Sequence, residues 1–152
     1  MKIFFDTEFI EDGKTIDLIS IGMVREDGRR FYAENAECAL GRADDWVKAN
    51  VFPHLVGEKA WMTRAELRDA IFEFVGEKPE FWAYFADYDW VVLCQLYGRM
   101  INLPEGWPMW CRDVKQALSA RGIIDLPAKS GVEHNALADA LNVKELHEMA
   151  TS

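Results

Sequence analysis

Several features are scarce or missing in this sequence of 152 residues. Its 3 cysteines, Cys38, Cys94 and Cys111, lie far apart and form no Cys-x-x-Cys pair, so neither a disulfide framework nor a zinc site is expected. No apolar run approaches the roughly 18–20 residues of a membrane-spanning helix, and no charged-then-apolar leader begins the chain. We therefore expect a cytoplasmic protein with reduced cysteines and no membrane partner.

Positive charge is also scarce. The chain has 17 Lys and Arg residues against 26 Asp and Glu residues, for a formal net charge of −9. This balance argues against a broad basic surface that coats long nucleic acid. It remains compatible with a protein that binds a few nucleotides at one end, or whose carboxylates bind cations.

What is present is the composition of one globular domain. Half of the residues are hydrophobic and 12% are aromatic, and we find no repeat or linker, so we expect a single domain over residues 1–152. Apolar runs and alternating patterns predict a series of strands. These predicted strands cover residues 2–7, 16–24, 29–34, 81–85 and 108–111.

Turn and capping signals separate these strands from predicted helices. Asp27-Gly28 is typical of a hairpin turn, Thr63 and Glu66 form a capping-box pattern, and Asp113 is a plausible N-cap. Helices are expected over 44–55, from 64 to about 76, over 89–98 and 114–122, and over 134–150 as one or two helices, after a loop at 123–133. The order predicts an α/β fold with a mixed five-stranded sheet, three antiparallel strands and then parallel ones, flanked by helices. The first strand should lie centrally.

Two carboxylates interrupt the first predicted strand. Asp6 and Glu8 are two residues apart, so their side chains point to the same face, about 6–7 Å apart. At an effective dielectric constant near 20, two such charges repel by about 2–3 kcal/mol. One interpretation is that they reach solvent at a strand end. The other is that they belong to a site in the crevice at the carboxyl ends of the strands.

Further acidic residues follow later strands and helices. Asp87 and Asp89 occur where the fourth predicted strand gives way to a helix, and either could serve as a helix cap. Asp139 stands between two alanines, where an unpaired carboxylate is costly, and His134 lies five residues before it. Carboxylate oxygens favour Mg²⁺ or Mn²⁺ over zinc, and such cations would convert the repulsion in the first strand into attraction.

These residues occur in an order that resembles a known family. The motifs are Asp6-x-Glu8 in the first strand, Tyr88-Asp89 opening a helix after the fourth, and His134-x-Ala136-x-x-Asp139 near the end. They resemble the DEDDh 3′-5′ exonucleases of the ribonuclease H-like superfamily. The short length and the stretches "FFDTEFIEDG", "YDWVVLCQL" and "MWCRDVKQAL" are most similar to the small bacterial and phage exoribonucleases of the mycobacterial type, related to ribonuclease T.

The resemblance assigns expected roles to individual residues. It implies two divalent ions, Mg²⁺ or Mn²⁺, held by Asp6, Glu8, Asp89 and Asp139, with His134 as the general base that accepts a proton from the attacking water. Alignment of Tyr88-Asp89 with the family motif favours Asp89 over Asp87 as a ligand, although members often carry Asn shortly before that aspartate. Hydrolysis of the terminal phosphodiester would release nucleoside 5′-monophosphates.

The resemblance also implies how substrate would bind. Thr7, Glu8 and Phe9 are expected to contact the last nucleotide, with Phe9 stacking on a base; the alternative for Phe9 is simple core packing. The expected partner is single-stranded RNA or a 3′ overhang, with DNA possible, and a homodimer is possible.

Three other functions compete with the exoribonuclease prediction. One is a 3′-5′ exodeoxyribonuclease of the same family, and another is a non-catalytic RNA-binding domain on the same fold. The third is a haloacid-dehalogenase-like phosphatase, which would need Asp where Glu8 stands and would leave His134 without a role. Removal of metal with EDTA separates an enzyme, which would stop, from a pure binder.

Overall fold

The computed structural model describes residues 1–129 and 131–152; Ser130, within the predicted loop, lies outside the described residues. A mixed sheet of six strands in the order β4-β3-β2-β1-β5-β6 forms its centre. The strands are β1 (Lys2–Glu11), β2 (Ile16–Arg25), β3 (Arg30–Asn35), β4 (Trp61–Met62), β5 (Glu80–Ala83) and β6 (Arg112–Asp113). The first three are antiparallel, and β5 and β6 run parallel to β1, which confirms the predicted mixed sheet with a central first strand.

The predicted number of five strands is wrong. The additional strand is β4, two residues that pair in parallel with β3 at Glu34 and Asn35. A strand this short carries no periodic pattern, so it could not be found from hydrophobicity. The predicted strand at 108–111 is also misplaced: β6 follows it at Arg112–Asp113, opposite Trp82 and Ala83 of β5.

Strand β1 is longer than the sequence predicted. Its pairing with β2 continues to Glu11 opposite Ile16, with a shift of register between Glu8 and Phe9. By contrast, β5 pairs with β1 only at Lys2, Ile3 and Phe4. The acidic residues therefore lie inside β1 rather than at its end, but beyond the point where its parallel neighbour stops.

The helices are α1 (Asp45–Asn50), α2 (Arg64–Val75), α3 (Asp87–Gln95), α4 (Val114–Ala120) and α5 (Ala136–Thr151). The capping box at the start of α2 is confirmed: Glu66 N–H donates to Thr63 Oγ1, and Thr63 N–H donates to Glu66 Oε2 at 2.8 Å. Asp113 caps α4 as predicted. The last helix is one continuous element capped by Asn135. No described helix is long and apolar enough to cross a membrane.

Side chains of β1 alternate between two cores, one on each face of the sheet. Ile3 and Phe5 pack with residues of α2 and α3, whereas Phe4 packs with residues of α4 and α5. Because the alternation continues, Asp6 and Glu8 follow Phe4 onto the side covered by α5. The predicted layer of helices on the sheet is confirmed.

One glycine allows α5 to approach the sheet closely. Gly22 of β2 pairs with Asp6 of β1, and a Cβ atom added at Gly22 would lie 2.3 Å from the backbone of Ala136. Any side chain at this position would push the first turn of α5 away from β2. The contact brings Asp139, in that turn, toward the carboxylates of β1.

Candidate active site

Charged groups from distant parts of the chain line one pocket. Asp6 and Glu8 come from β1, Asp89 from the first turn of α3 and Asp139 from the first turn of α5, and His134 comes from the segment before α5. The other lining residues are Thr7, Phe9, Trp46, Tyr84, Phe85, Tyr88 and Lys129. The structure thus brings every residue of the predicted site together.

Three of these residues could bind a single ion. One ligand atom each from Glu8, His134 and Asp139 lies within 4.8 Å of the other two. Asp6 and Asp89 line the same pocket beside them. The group has the carboxylate-rich composition that hard divalent cations prefer.

The position of Asp89 depends on the open edge of β1. Because pairing with β5 stops at Phe4, the backbone N–H of Thr7 has no strand partner on that side. Asp89 Oδ1 accepts a hydrogen bond from this N–H at 2.9 Å and a second one from the Thr7 hydroxyl. Asp89 is buried, whereas Asp87 is exposed and does not line the pocket.

Thr7 holds Asp89 in place. Both its N–H and its hydroxyl donate to Asp89, so these two groups position a carboxylate of the pocket; its predicted contact with a nucleotide stays a prediction. Phe9 is half-buried and lies 5.9 Å from Tyr88 between ring centroids. Phe9, one of the predicted substrate contacts, therefore presents an aromatic surface at the pocket.

Backbone strain is concentrated at this pocket. Phe85 and His134 are the non-glycine residues with positive φ in the described part of the chain, at 53° and 61°, and both line the pocket. Bulky residues rarely adopt this conformation, and it occurs preferentially at functional sites. Ala86, next to Phe85, donates its N–H to Asp113 Oδ2 at 2.9 Å, which holds the turn that leads into α3.

Asp139 is buried but has polar partners. Its Oδ2 accepts a hydrogen bond from the His134 N–H at 2.9 Å, and its Oδ1 lies 3.0 Å from Lys129 Nζ. The His134 ring in turn contacts Trp46 edge-on, with centroids 4.9 Å apart. His134 is therefore located by Asp139 on one side and by the first turn of α1 on the other.

The carboxylates repel one another strongly. Burial, followed by the charges of Asp89, Asp139 and Glu8, raises the pKa of Asp6 well above its usual value. Burial and the charges of Asp139 and Asp89 raise the pKa of Glu8 to about 8. Burial also raises the pKa of Asp89 to about 7, against the hydrogen bonds from Thr7 that lower it. A bound divalent cation would remove this penalty, so the residues fit such a group.

Several pocket residues were not predicted from the sequence. Phe85 stands directly before the Ala86–Asp89 stretch, and that proximity to a motif was a usable signal. Trp46 and Lys129 carried none, because each lies in a segment without a motif. Both reach the pocket only through the packing of α1 and of the segment between α4 and α5.

The sequence of the whole chain is similar to those of known proteins. Residues 1–151 match the family described as "3′-5′ exoribonuclease Rv2179c-like domain". The chain is 40% identical over 158 aligned residues to "3′-5′ exoribonuclease Rv2179c" of Mycobacterium tuberculosis strain H37Rv, covering 100% of this chain and 94% of that protein. The same values hold for "3′-5′ exoribonuclease MT2234.1" of strain CDC 1551.

A solved structure shares the fold. It is described as "3′-end specific recognition of histone mRNA stem-loop by 3′-exonuclease", with a TM-score of 0.57 and 12% identity, and the match covers 96% of this chain and 79% of that one. This likeness supports the predicted ribonuclease H-like architecture. The family match gives no support to a haloacid-dehalogenase-like phosphatase. From the match over nearly its whole length, the chain belongs to the family of Rv2179c-like 3′-5′ exoribonuclease domains.

Proposed function

We propose that residues 1–152 form a single metal-dependent exonuclease domain that shortens RNA from its 3′ end and releases nucleoside 5′-monophosphates. The observation that carries this proposal is the convergence of Asp6, Glu8, Asp89, Asp139 and His134 on one pocket. The family match and the names of the relatives at 40% identity support the exoribonuclease class.

The four carboxylates would hold two divalent cations, Mg²⁺ or Mn²⁺. When bound, these ions would supply the positive charge that promotes ionisation of the attacking water and stabilises the departing 3′-oxygen. Burial and the charges of the other three acids raise the pKa of Asp6 well above its usual value, so a bound cation would favour its charged form.

His134 would accept the proton of the attacking water. Its backbone N–H is bound to Asp139 and its ring rests against Trp46, so the imidazole is held at the pocket while one ring nitrogen remains near Glu8 and Asp139. General-base assistance is worth about 10²–10⁴-fold in rate.

The pocket rim favours bases over phosphates as the means of binding. Trp46, Phe85 and Tyr88 are each more than half exposed, at 54%, 64% and 55%, and Phe9 lies beside Tyr88. Stacking of a base on an aromatic side chain contributes about 1–3 kcal/mol. Lys129 is the only Lys or Arg among the described residues that line the pocket, so we expect few phosphate contacts there and an affinity that depends only weakly on salt. A homodimer remains a prediction.

The direct test uses RNA and DNA oligonucleotides of the same sequence, labelled at the 5′ end and incubated with Mn²⁺ or Mg²⁺. We expect the RNA to shorten stepwise from its 3′ end, and EDTA to stop the reaction. Equal or faster shortening of DNA would favour the exodeoxyribonuclease alternative. Binding without any cleavage would favour a non-catalytic RNA-binding domain.

Replacement of the proposed base separates catalysis from metal binding. We expect His134→Ala to lower the single-turnover rate by about 10²–10⁴-fold while calorimetry shows Mn²⁺ binding largely retained. His54→Ala is the matched control, since His54 lies in a 3₁₀ turn and does not line the pocket. Undiminished turnover in His134→Ala would remove His134 from the mechanism, and loss of Mn²⁺ binding would make it a ligand instead.

A further inference from the structure

One lysine, Lys129, lies among the acids in the described part of the pocket. Lys129 lines the same pocket as Asp6, Glu8 and Asp89, and its Nζ forms an ion pair with Asp139 Oδ1 at 3.0 Å. No other Lys or Arg is among the described residues that line this pocket. The Lys129 side chain is 40% exposed, so it reaches the acids from the solvent side.

The charge of Lys129 offsets part of the repulsion between the acids. It lowers the pKa of both Asp6 and Glu8, against the much larger effects that raise them. The ion pair between Lys129 Nζ and Asp139 Oδ1 places this positive charge where the proposed cations would supply theirs.

The location of Lys129 in the chain makes this contact exchangeable. It belongs to the stretch between α4 and α5, where the described residues form neither helix nor strand. Its ammonium group sits on a flexible four-carbon stem. By contrast, Asp139 is fixed in the first turn of α5, so the lysine can leave the carboxylate without moving any element of the sheet.

We propose that Lys129 is an internal counter-ion, which occupies Asp139 in the metal-free protein and is displaced when a divalent cation binds. It would thereby lower the affinity of the pocket for metal while stabilising the fold in the absence of metal. This inference rests on the proposed metal-dependent function. A different role, contact with a substrate phosphate, would affect nucleic-acid binding but not metal binding in the absence of nucleic acid.

The test is isothermal titration of the metal-stripped full chain with MnCl₂, without nucleic acid and at fixed ionic strength. Lys129→Met removes the charge but keeps a side chain of similar length. We expect this variant to bind Mn²⁺ about tenfold more tightly than the wild type, because the incoming cation no longer has to displace a positive charge. Lys129→Arg keeps the charge and should bind Mn²⁺ more weakly than Lys129→Met. Lys144→Met is the matched control, since Lys144 pairs with Glu148 on α5 and does not line the pocket.

Thermal unfolding provides a second readout. In EDTA, Lys129→Met should melt at a lower temperature than the wild type, and saturating Mn²⁺ should abolish this difference, which also verifies that the variant folds. An unchanged or weaker Mn²⁺ affinity in Lys129→Met, with or without a higher KM for RNA, would overturn the counter-ion role while leaving the metal site intact. If the wild type and Lys129→Met both bound no Mn²⁺, the proposed metal-dependent function would fail, and this inference with it.

Discussion

The two halves of β1 differ in what they contribute to the protein: the first half belongs to the core and the second half to the pocket. In the first half, Ile3, Phe4 and Phe5 are at most 2% exposed, and Ile3 and Phe4 pair with both β2 and β5. In the second half, from Asp6 onward, the strand pairs with β2 alone. There, Asp6 and Glu8 lie on the same face of the sheet as Phe4, two and four residues further along β1.

The difference shows where the protein gains stability and where it gives stability up. Burial of each large apolar side chain in the first half stabilises the fold by about 1.5–3 kcal/mol. In the second half, burial and mutual repulsion disfavour the charged forms of Asp6 and Glu8. The end of β5 makes this possible, because it leaves an open edge at which Asp89 reaches Thr7.

The largest effect should follow from removing one negative charge from the second half of β1. Asp6→Asn removes one proposed ligand, and we expect turnover of RNA to fall to background. Because it also removes repulsion, the same change should raise the free energy of unfolding of the metal-free protein at pH 8 by about 0.5–2 kcal/mol. Turnover measured with Mn²⁺ checks the first expectation, and denaturant unfolding measured in EDTA checks the second.

The exposed acid next to the motif provides the control for that change. Asp87→Asn alters a carboxylate in the same helix turn as Asp89, but outside the pocket. It should leave turnover close to that of the wild type. Normal turnover in Asp6→Asn together with inactivity of Asp87→Asn would contradict the assignment of the site.

A smaller loss, of stability alone, is expected from the first half. Phe5 is 0% exposed and contacts Phe81 edge-on, with centroids 5.8 Å apart. Phe5→Ala should lower the free energy of unfolding by about 3–5 kcal/mol, with similar turnover per folded molecule. Ile124→Ala, at a side chain 77% exposed, should change it little. If Phe5→Ala unfolded no more easily than Ile124→Ala, the division of β1 into two halves would be wrong.

The effect that is smallest at each step is the dependence of stability on pH, which changes gradually and needs no substitution. Glu8 has a pKa of about 8 in the folded protein, raised from 4.5 chiefly by burial, and Asp89 shifts in the same direction, to about 7. At a pH between the unfolded and the folded pKa of each group, the folded state holds a proton that the unfolded state has lost. The free energy of unfolding therefore falls as pH rises from about 4.5 to 8. The slope is at most about 1.4 kcal/mol per pH unit for each group.

This slope belongs to the metal-free protein. In saturating Mn²⁺ it should disappear or reverse, because metal binds the deprotonated carboxylates. Melting temperatures measured across this pH range, with EDTA and with Mn²⁺, test both statements. In EDTA, Glu8→Gln should show a shallower slope than the wild type. A melting temperature that rises with pH in EDTA would show that the carboxylates do not repel one another as described.

Prediction from the sequence succeeded where the signal is local. The capping box of Thr63 and Glu66 and the cap at Asp113 lie within four residues of their partners, and the structure has both. The sequence of alternating elements predicted the mixed sheet, but not β4, whose position depends on β3, far away in the chain. The end of β1 was placed too early, because charged residues in a strand resemble a strand end until the pairing with β2 is known.

By itself, the sequence determined the class of fold and predicted residues that the structure brings to one pocket, since both depend on patterns and residue types within short segments. The motif alignment already favoured Asp89 over Asp87, whereas only the tertiary structure decided that Lys129 and Trp46 belong to the pocket. These choices depend on contacts across long stretches of chain, such as Ala136 against Gly22. Such contacts are set by how closely packed elements fit together, which no local pattern encodes.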